Sequence, residues 1–228
     1  MPEYAIIVAG GQGSRLGGSI PKQFLLLQGK PMLMHSAQAF LSYNNHIRLI
    51  IVLPADAINQ WKDLCEKHRF IAAHQVIAGG SERFHSVRNG LSLIPGDEGL
   101  VAVHDAARPL VSPTLIANCF GLTRNHKAVV PVVHPTESLR KLGAGGTSQS
   151  VDRSEYRMVQ TPQCFQVDIL KRAYLQEYSN TFTDDASVVE AMGETVTLIE
   201  GEATNIKITV PGDLQSVASG GSAKADSG

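Results

Sequence analysis

Tyr4-Ala-Ile-Ile-Val-Ala9 runs straight into Gly10-Gly-Gln-Gly-Ser-Arg15. The first part carries the β-branched run of a buried strand, and glycines at the end of such a strand let backbone N–H groups nest around an anion. A phosphate-binding loop is the natural reading, beside a plain structural turn, which glycines alone also make. The dinucleotide fingerprint is excluded, because G-x-G-x-x-G counted from Gly11 needs glycine where Leu16 stands; a P-loop is excluded because no G-K-[ST] comes after it. The next side chains are cationic instead: Arg15, then Pro21-Lys22-Gln23, places positive charge where a triphosphate needs neutralising. That addition favours a functional loop.

Strands of the same kind recur at Leu49–Leu53, Ala73–Ile77, Leu100–His104 and Ala128–Val133, each bounded by Gly, Pro or polar residues. Between them Ile58, Trp61, Leu64 and Cys65 recur at helical spacing, as do Val87, Leu91 and Ile94, and then Leu115, Ile116, Cys119 and Phe120. Ser112-Pro113 supplies an N-cap and a preset first helical residue. This βαβα alternation predicts an α/β fold, a Rossmann-like, mainly parallel sheet with helices on both faces and ligands beyond the carboxyl ends of the strands. Helices are expected again over Val167–Tyr178 and Asp185–Met192, the second capped by Thr183-Asp184 and ended by Gly193, with strands at Val196–Ile199 and Ile206–Val210. From Pro131 to Pro162 the rhythm breaks: His134-Pro135 and Gly143-Ala-Gly-Gly146 carry no helical period. A protruding β-arm, at about 132–157, is expected there, built to bind ligand or to clasp a partner chain.

At about 150 residues per domain, 228 residues make one large domain or two small ones. One domain over residues 1–219 with a floppy tail over 220–228 fits the pattern. Twenty Lys and Arg against 21 Asp and Glu leave a formal charge of −1, which argues against a general grip on nucleic acid or anionic membrane. The apolar run Ala5–Ala9 has no basic region before it and is too short for a leader or a bilayer span, so the cytoplasm is the expected location. Cys65, Cys119 and Cys164 share no C-x-x-C spacing and read as buried thiols. The histidines lack ligand spacing too, so any metal must be held by oxygen.

The pairing of A-G-G-x-G-x-R with P-K-Q-F-L resembles the nucleotidyltransferases that activate sugars and polyols. Gly79-Gly-Ser-Glu-Arg83 with Ser86, His104-Asp-Ala-Ala-Arg-Pro109, Val151-Asp-Arg153, Thr161-Pro-Gln163, Thr183-Asp-Asp-Ala-Ser187 and Asn205-Ile-Lys-Ile-Thr209 narrow it to the methylerythritol phosphate cytidylyltransferase family, collinearly over about residues 4–218. Each motif alone is weak; the ordered set is specific. The resemblance implies cytidylyl transfer from CTP to 2-C-methyl-D-erythritol 4-phosphate, with release of diphosphate, in the non-mevalonate route to isoprenoids. A phosphate monoester is already anionic near neutrality, so positioning and charge neutralisation supply most of the catalysis.

By that resemblance Arg15, Lys22, Lys207 and Arg153 are the catalytic cations. Ala9, Gly10, Gly11, Gly13, Gly80, Ser81, Ser86, Asp105 and Ala106 join Arg15 and Lys22 in holding the nucleotide. Asp105, Arg108, Ser138, Arg153, Thr161, Thr183 and Lys207 bind the polyol phosphate, and Asp105 holds a divalent cation, Mg²⁺ in the first instance. Two positions depart from the family pattern. Glu137-Ser138 stands where D-T is common, so that Thr136 competes for the hydroxyl role, and Gly10 stands where some members have alanine. The family's arm clasps a second subunit, which implies a homodimer.

Plainer readings stand beside these. Asp105 suits a strand-end turn, Arg153 and Arg157 suit a solvated arm, and Thr183 suits a helix N-cap. His104 reads as a hydrogen-bonded strand-end histidine outside the site, Trp61 as core, and Lys207 as a solvent-facing alternate in N-I-K-I-T. Ribitol 5-phosphate cytidylyltransferase shares the glycine loop and P-K-Q-F-L, while Ala106-Ala107, V-D-R and N-I-K-I-T favour the methylerythritol enzyme. A non-catalytic nucleotide-binding protein on the same fold is the third reading, disfavoured by retention of both Arg15 and Lys22.

Overall fold

The computed structural model describes residues 1–10 and 21–218. The elements in chain order are β1 (Glu3–Val8), β2 (Leu26–Leu27), β3 (Lys30–Pro31), α1 (Met32–Tyr43), β4 (Arg48–Leu53), α2 (Ile58–Lys67), β5 (His74–Ala78), α3 (Arg83–Leu91), β6 (Leu100–Asp105) and α4 (Pro113–Thr123). They continue with β7 (Ala128–Val133), β8 (Arg140–Leu142), β9 (Ser148–Ser150), β10 (Met158–Val159), β11 (Gln163–Gln166), α5 (Val167–Ala173), α6 (Asp185–Ala191), β12 (Thr197–Glu200) and α7 (Pro211–Ala218). The main sheet runs β10-β7-β11-β6-β1-β4-β5, with β12 also on β7. β1 pairs in parallel with β4 and β6, as do β4 with β5 and β7 with β12, whereas β11 is antiparallel to both β6 and β7.

Alternation along β1 explains the layers. Ala5, Ile7 and Ala9 face α1, α2 and α4, packing with Leu33, Phe40, Trp61 and Phe120; Tyr4, Ile6 and Val8 face the other way, with Phe84 and Val87 of α3, Leu170 of α5 and Val188 of α6. Helices therefore cover both faces, as the sequence predicts. Burying one large aliphatic side chain contributes about 1.5–3 kcal/mol, which is why the β1 run tolerates no polar residue between Ala5 and Ala9. Ser112 caps α4, its hydroxyl accepting from Leu115 N–H at 3.0 Å. Asp184, rather than Thr183, is the N-cap of α6: its carboxylate accepts from Ser187 N–H at 2.9 Å and the Ser187 hydroxyl answers Asp184 N–H at 3.2 Å. Gly193 has a φ of 89°, the left-handed stop that the sequence places there.

Several expectations change. Ile206–Val210 forms no strand: Ile208 is buried with Leu27, Met32 and Val217 and joins the body through one backbone bond, Ile208 N–H to Ala107 C=O at 2.8 Å. The helix expected to Tyr178 stops at Ala173, where the Gln176 amide takes the Ala173 and Val188 carbonyls. α1, α7 and β11 are additional elements. Cys119 and Cys164 are buried, but Cys65 is only partly so.

The irregular stretch holds the β8–β9 hairpin, antiparallel with Arg140 opposite Ser150, turned by Gly145 and Gly146 at φ 67° and 79°. Every strand residue of the hairpin is exposed. The Thr161–Pro162 peptide bond after β10 is cis. The tail at 220–228 lies outside the described residues. No helix among the described residues is long and apolar enough to cross a membrane.

Candidate active site

A cleft of about 340 Å³ opens beyond the carboxyl ends of β1, β5 and β6. It is lined by Ala9, Gly10, Lys22, Gly80, Ser81, Ser86, Asp105, Ala106 and Lys207, all singled out in the sequence, together with Gln23, Arg83 and others. Backbone bonds that outrun the strands shape its floor: Ala9 N–H to Val52 C=O, Gly79 N–H to Leu53 C=O and Ala106 N–H to Val8 C=O, at 2.7–3.0 Å. Gly11, Gly13 and Arg15 lie outside the described residues.

Glycine is required on one wall. A Cβ on Gly79 would stand 2.8 Å from the Ser86 hydroxyl oxygen, and one on Gly80 would stand 2.3 Å from the His85 Cβ. At Gly10 it would meet Ser86 at 3.6 Å, an ordinary contact, so the family's alternative alanine fits there. The Ser86 hydroxyl accepts from Gly80 N–H and donates to Glu82 C=O, both at 3.2 Å. Ser81 is exposed, with its hydroxyl 3.0 Å from His85 Nδ1.

Asp105, the last residue of β6, is 9% exposed and sits between two cations, with Oδ1 3.3 Å from Arg83 Nε and Oδ2 2.7 Å from Lys207 Nζ. Burial alone would raise its pKa, but the charges of Arg83 and Lys207 outweigh that and hold the carboxyl well below the usual carboxylate range. Lys207 thus faces solvent, as its alternation suggests, and also pairs with Asp105 at the cleft. Arg83 belongs to the Gly79–Arg83 motif, yet sequence reading gave it no role; the missing signal is the distant Asp185, which only the fold brings to it.

His104 is wholly buried beside this carboxylate, as its strand-end reading implied. Its Nε2 lies 3.1 Å from Arg108 C=O and its Nδ1 3.0 Å from the Thr161 hydroxyl. A carbonyl only accepts, so Nε2 carries the proton, Nδ1 accepts, and the Thr161 hydroxyl donates to it while taking Asp105 N–H at 3.1 Å. Burial pushes the His104 pKa down from 6.5 to about 4. Between those values the unfolded chain binds a proton that the fold excludes, so His104 withdraws stability as pH falls through this window, by about 3 kcal/mol at most. The Asp105 contribution is lost only in more acidic solution, as pH falls below the unfolded carboxylate value towards the depressed folded one. Denaturant unfolding at a series of pH values should therefore show a decline from pH 6.5 to 4 that His104→Gln largely removes. Equal slopes for both chains would contradict this.

The residues expected to hold the polyol phosphate do not all meet within one chain. Asp105 and Lys207 are in the cleft. Arg108 ties β10 to the 205 loop, donating to Val159 C=O at 3.1 Å and Asn205 C=O at 2.8 Å. Thr161 is buried behind Asp105. Thr183 is exposed before α6, and its N–H meets the Ser187 hydroxyl at 3.1 Å. Ser138 and Arg153 are exposed on the arm, where Arg153 Nη1 donates to Thr136 C=O.

A glycine-walled cleft with two lysines and a carboxylate at the carboxyl ends of a mainly parallel sheet defines a nucleotidyltransferase-type α/β protein. The family model for 2-C-methyl-D-erythritol 4-phosphate cytidylyltransferase (IspD) matches residues 4–219. Proteins of that name from Bacteroides thetaiotaomicron and Phocaeicola vulgatus are 53% and 51% identical over 215 residues, 94% of this chain and 97% of each relative. The crystal structure of the same-named protein from Thermus thermophilus superposes with a TM-score of 0.76 at 30% identity, covering 97% of this chain and 99% of that one. The chain belongs to the 2-C-methyl-D-erythritol 4-phosphate cytidylyltransferase family.

Proposed function

We propose that this chain transfers the cytidylyl group of CTP to 2-C-methyl-D-erythritol 4-phosphate, releasing diphosphate, as a step of isoprenoid biosynthesis. The observation that carries the reading is the convergence of Lys22, Lys207 and Asp105 on the glycine-walled cleft of a family member. A phosphate oxygen of the acceptor forms a bond to the α-phosphorus as the bond from that phosphorus to the α,β-bridging oxygen breaks, and the electron pair leaves with diphosphate. Lys22 neutralises charge building on the α-phosphate and the departing group; Lys207 and Arg153 orient the acceptor phosphate.

The base is read by Ser86 and the Gly79–Gly80 wall. With its proton committed to Glu82 C=O and one lone pair taken by Gly80 N–H, the cleft-lining Ser86 hydroxyl has one acceptor site left, which suits the 4-amino group of cytosine and repels the 4-carbonyl of uracil. Purines are too large for the same wall. Diphosphate release should therefore be strong with CTP and weak with UTP, ATP and GTP. Comparable rates with all of these nucleotides would refute selection by this pocket.

A divalent cation fits the donor set. Each Asp105 oxygen keeps a lone pair after meeting its cation, and no group of three or more His, Cys, Asp or Glu converges among the described residues. Mg²⁺ is content with one carboxylate when phosphates and water complete its shell, and it supplies charge neutralisation at the phosphates. The arm supports a homodimer: it exposes Leu142 and Tyr156, the adjoining edge strand β10 exposes Met158 and Val159, and Arg153 of the arm is not among the residues that line the cleft of its own chain. Ribitol 5-phosphate is the competing acceptor, and product analysis decides between the two.

A further inference from the structure

We propose that Arg83 is a positioning residue, whose guanidinium fixes the orientation of Asp105 by anchoring itself on the buried carboxylate of Asp185. The inference rests on the cytidylyltransferase reading for what Asp105 touches, but its geometry is independent of that reading. Arg83 opens α3 directly after the glycine wall, and Asp185 opens α6. Nη1 and Nη2 meet the two oxygens of Asp185 at 2.9 and 2.7 Å, and Nε meets Asp105 Oδ1 at 3.3 Å. Asp185 is fully buried and also accepts from the Tyr174 hydroxyl at 2.6 Å.

A bidentate pair fixes the plane of a guanidinium, so its third edge has only one direction in which to point. Here that edge faces Asp105. Lysine cannot reproduce the arrangement, because an ammonium on a flexible stem has no fixed plane. The other partner of Asp105, Lys207, is 44% exposed and well placed to turn towards a phosphate. When it does so, Arg83 still holds Asp105 aimed into the cleft. The Tyr174–Asp185–Arg83–Asp105 chain therefore ties α5 and α6 to the nucleotide-binding side of the site.

Two measurements on the full-length protein test this. The first compares Arg83→Met/Asp185→Asn with the parent. The pair removes the half-buried guanidinium and the buried carboxylate together, so that neither is left without its partner, and leaves Tyr174 a partner. A positioning role predicts a melting temperature near that of the parent, with kcat down about tenfold or more and KM for CTP changed much less. A kcat equal to the parent's would overturn the proposal, because Arg83 would then merely neutralise Asp185. The second needs no substrate and so stands even if the cytidylyltransferase reading fails. Asp105→Asn and Asp185→Asn, singly and together, are melted in the parent and in the Arg83→Met background. With Arg83 present, the double variant strands its charge and should lose more melting temperature than the singles sum to; once Arg83→Met removes that charge the excess should vanish. Additive losses in both backgrounds would overturn the proposal, as would a kcat loss in the first experiment that appears only because the variant is unfolded at the assay temperature while the thermal cycle is additive.

Discussion

Replacing Lys22 with alanine should lower kcat by about 10²-fold or more, the loss expected on removing one preorganised charge from a transition state. Lys22 lines the cleft together with Asp105, Ala106 and Lys207, from the 3₁₀ turn Lys22–Phe24. That turn is held by Phe24 stacked on Trp61 and by Leu25 N–H bonded to Lys22 C=O at 3.1 Å, so the lysine is presented from a fixed base rather than a loose loop. CTP binding should suffer less, because in the proposed mode the triphosphate would keep its other contacts while the charge that develops during transfer loses its partner. Steady-state kinetics decide the matter: if only KM changed, Lys22 would bind ground and transition states equally and would not be catalytic in this sense.

Mixing Arg153→Ala chains with Lys22→Ala chains should restore activity that neither variant has. The arm is exposed and its Arg153 lies outside the cleft of its own chain, so a two-fold dimer in which each arm serves the neighbour's site would bring Lys22 and Arg153 together only across the pair. In a fully exchanged equal mixture half the dimers are heterodimers, and each has one site with both residues intact. Activity should then approach about a quarter of the parent value, well over tenfold above either variant alone. A monomeric arm would have to be ordered by the acceptor phosphate at a considerable cost in conformational entropy, which makes that arrangement the poorer binder. Exchange is confirmed by tagging one chain and recovering the other with it. Heterodimers without recovered activity would place the action of Arg153 in its own subunit or remove it from the site.

Local chemistry decides which parts of the molecule can be read from its sequence. The β1 run, the strands at Leu49 and Ala128 and the Ser112-Pro113 cap are recognisable because each depends on its own residues and near neighbours. β11 is not: Gln163-Cys-Phe-Gln166 is short and half polar, and it is a strand because β6 and β7 leave a slot between them. α1 carried a legible signal in Leu33, Ala37 and Phe40, which are all buried at helical spacing, but the Pro31 before it and the short β2–β3 ribbon obscured its start. Ile206–Val210 shows the reverse failure, since alternating apolar residues produced a strand pattern where one anchored side chain, Ile208, does the packing. In the site, the glycine wall, Lys22, Asp105 and Lys207 are recognisable from motifs, whereas Arg83 and its tie to Asp185 across 102 residues of chain depend on tertiary placement alone. The His104 tautomer was equally out of reach, because it is set by the carbonyl and hydroxyl that the turn after β6 and the Thr161 segment deliver.

The most direct test of cytidylyl transfer tracks the α-phosphorus of CTP. The protein is incubated with Mg²⁺ and α-labelled CTP, with methylerythritol phosphate in one reaction and ribitol 5-phosphate in another, and the products are separated. The label should move into a cytidine diphosphate ester of methylerythritol, a γ-label should leave in diphosphate, and ribitol 5-phosphate should give little product. Preferential labelling of the ribitol ester, or CTP that binds and is recovered intact with both acceptors, would contradict the proposed transfer.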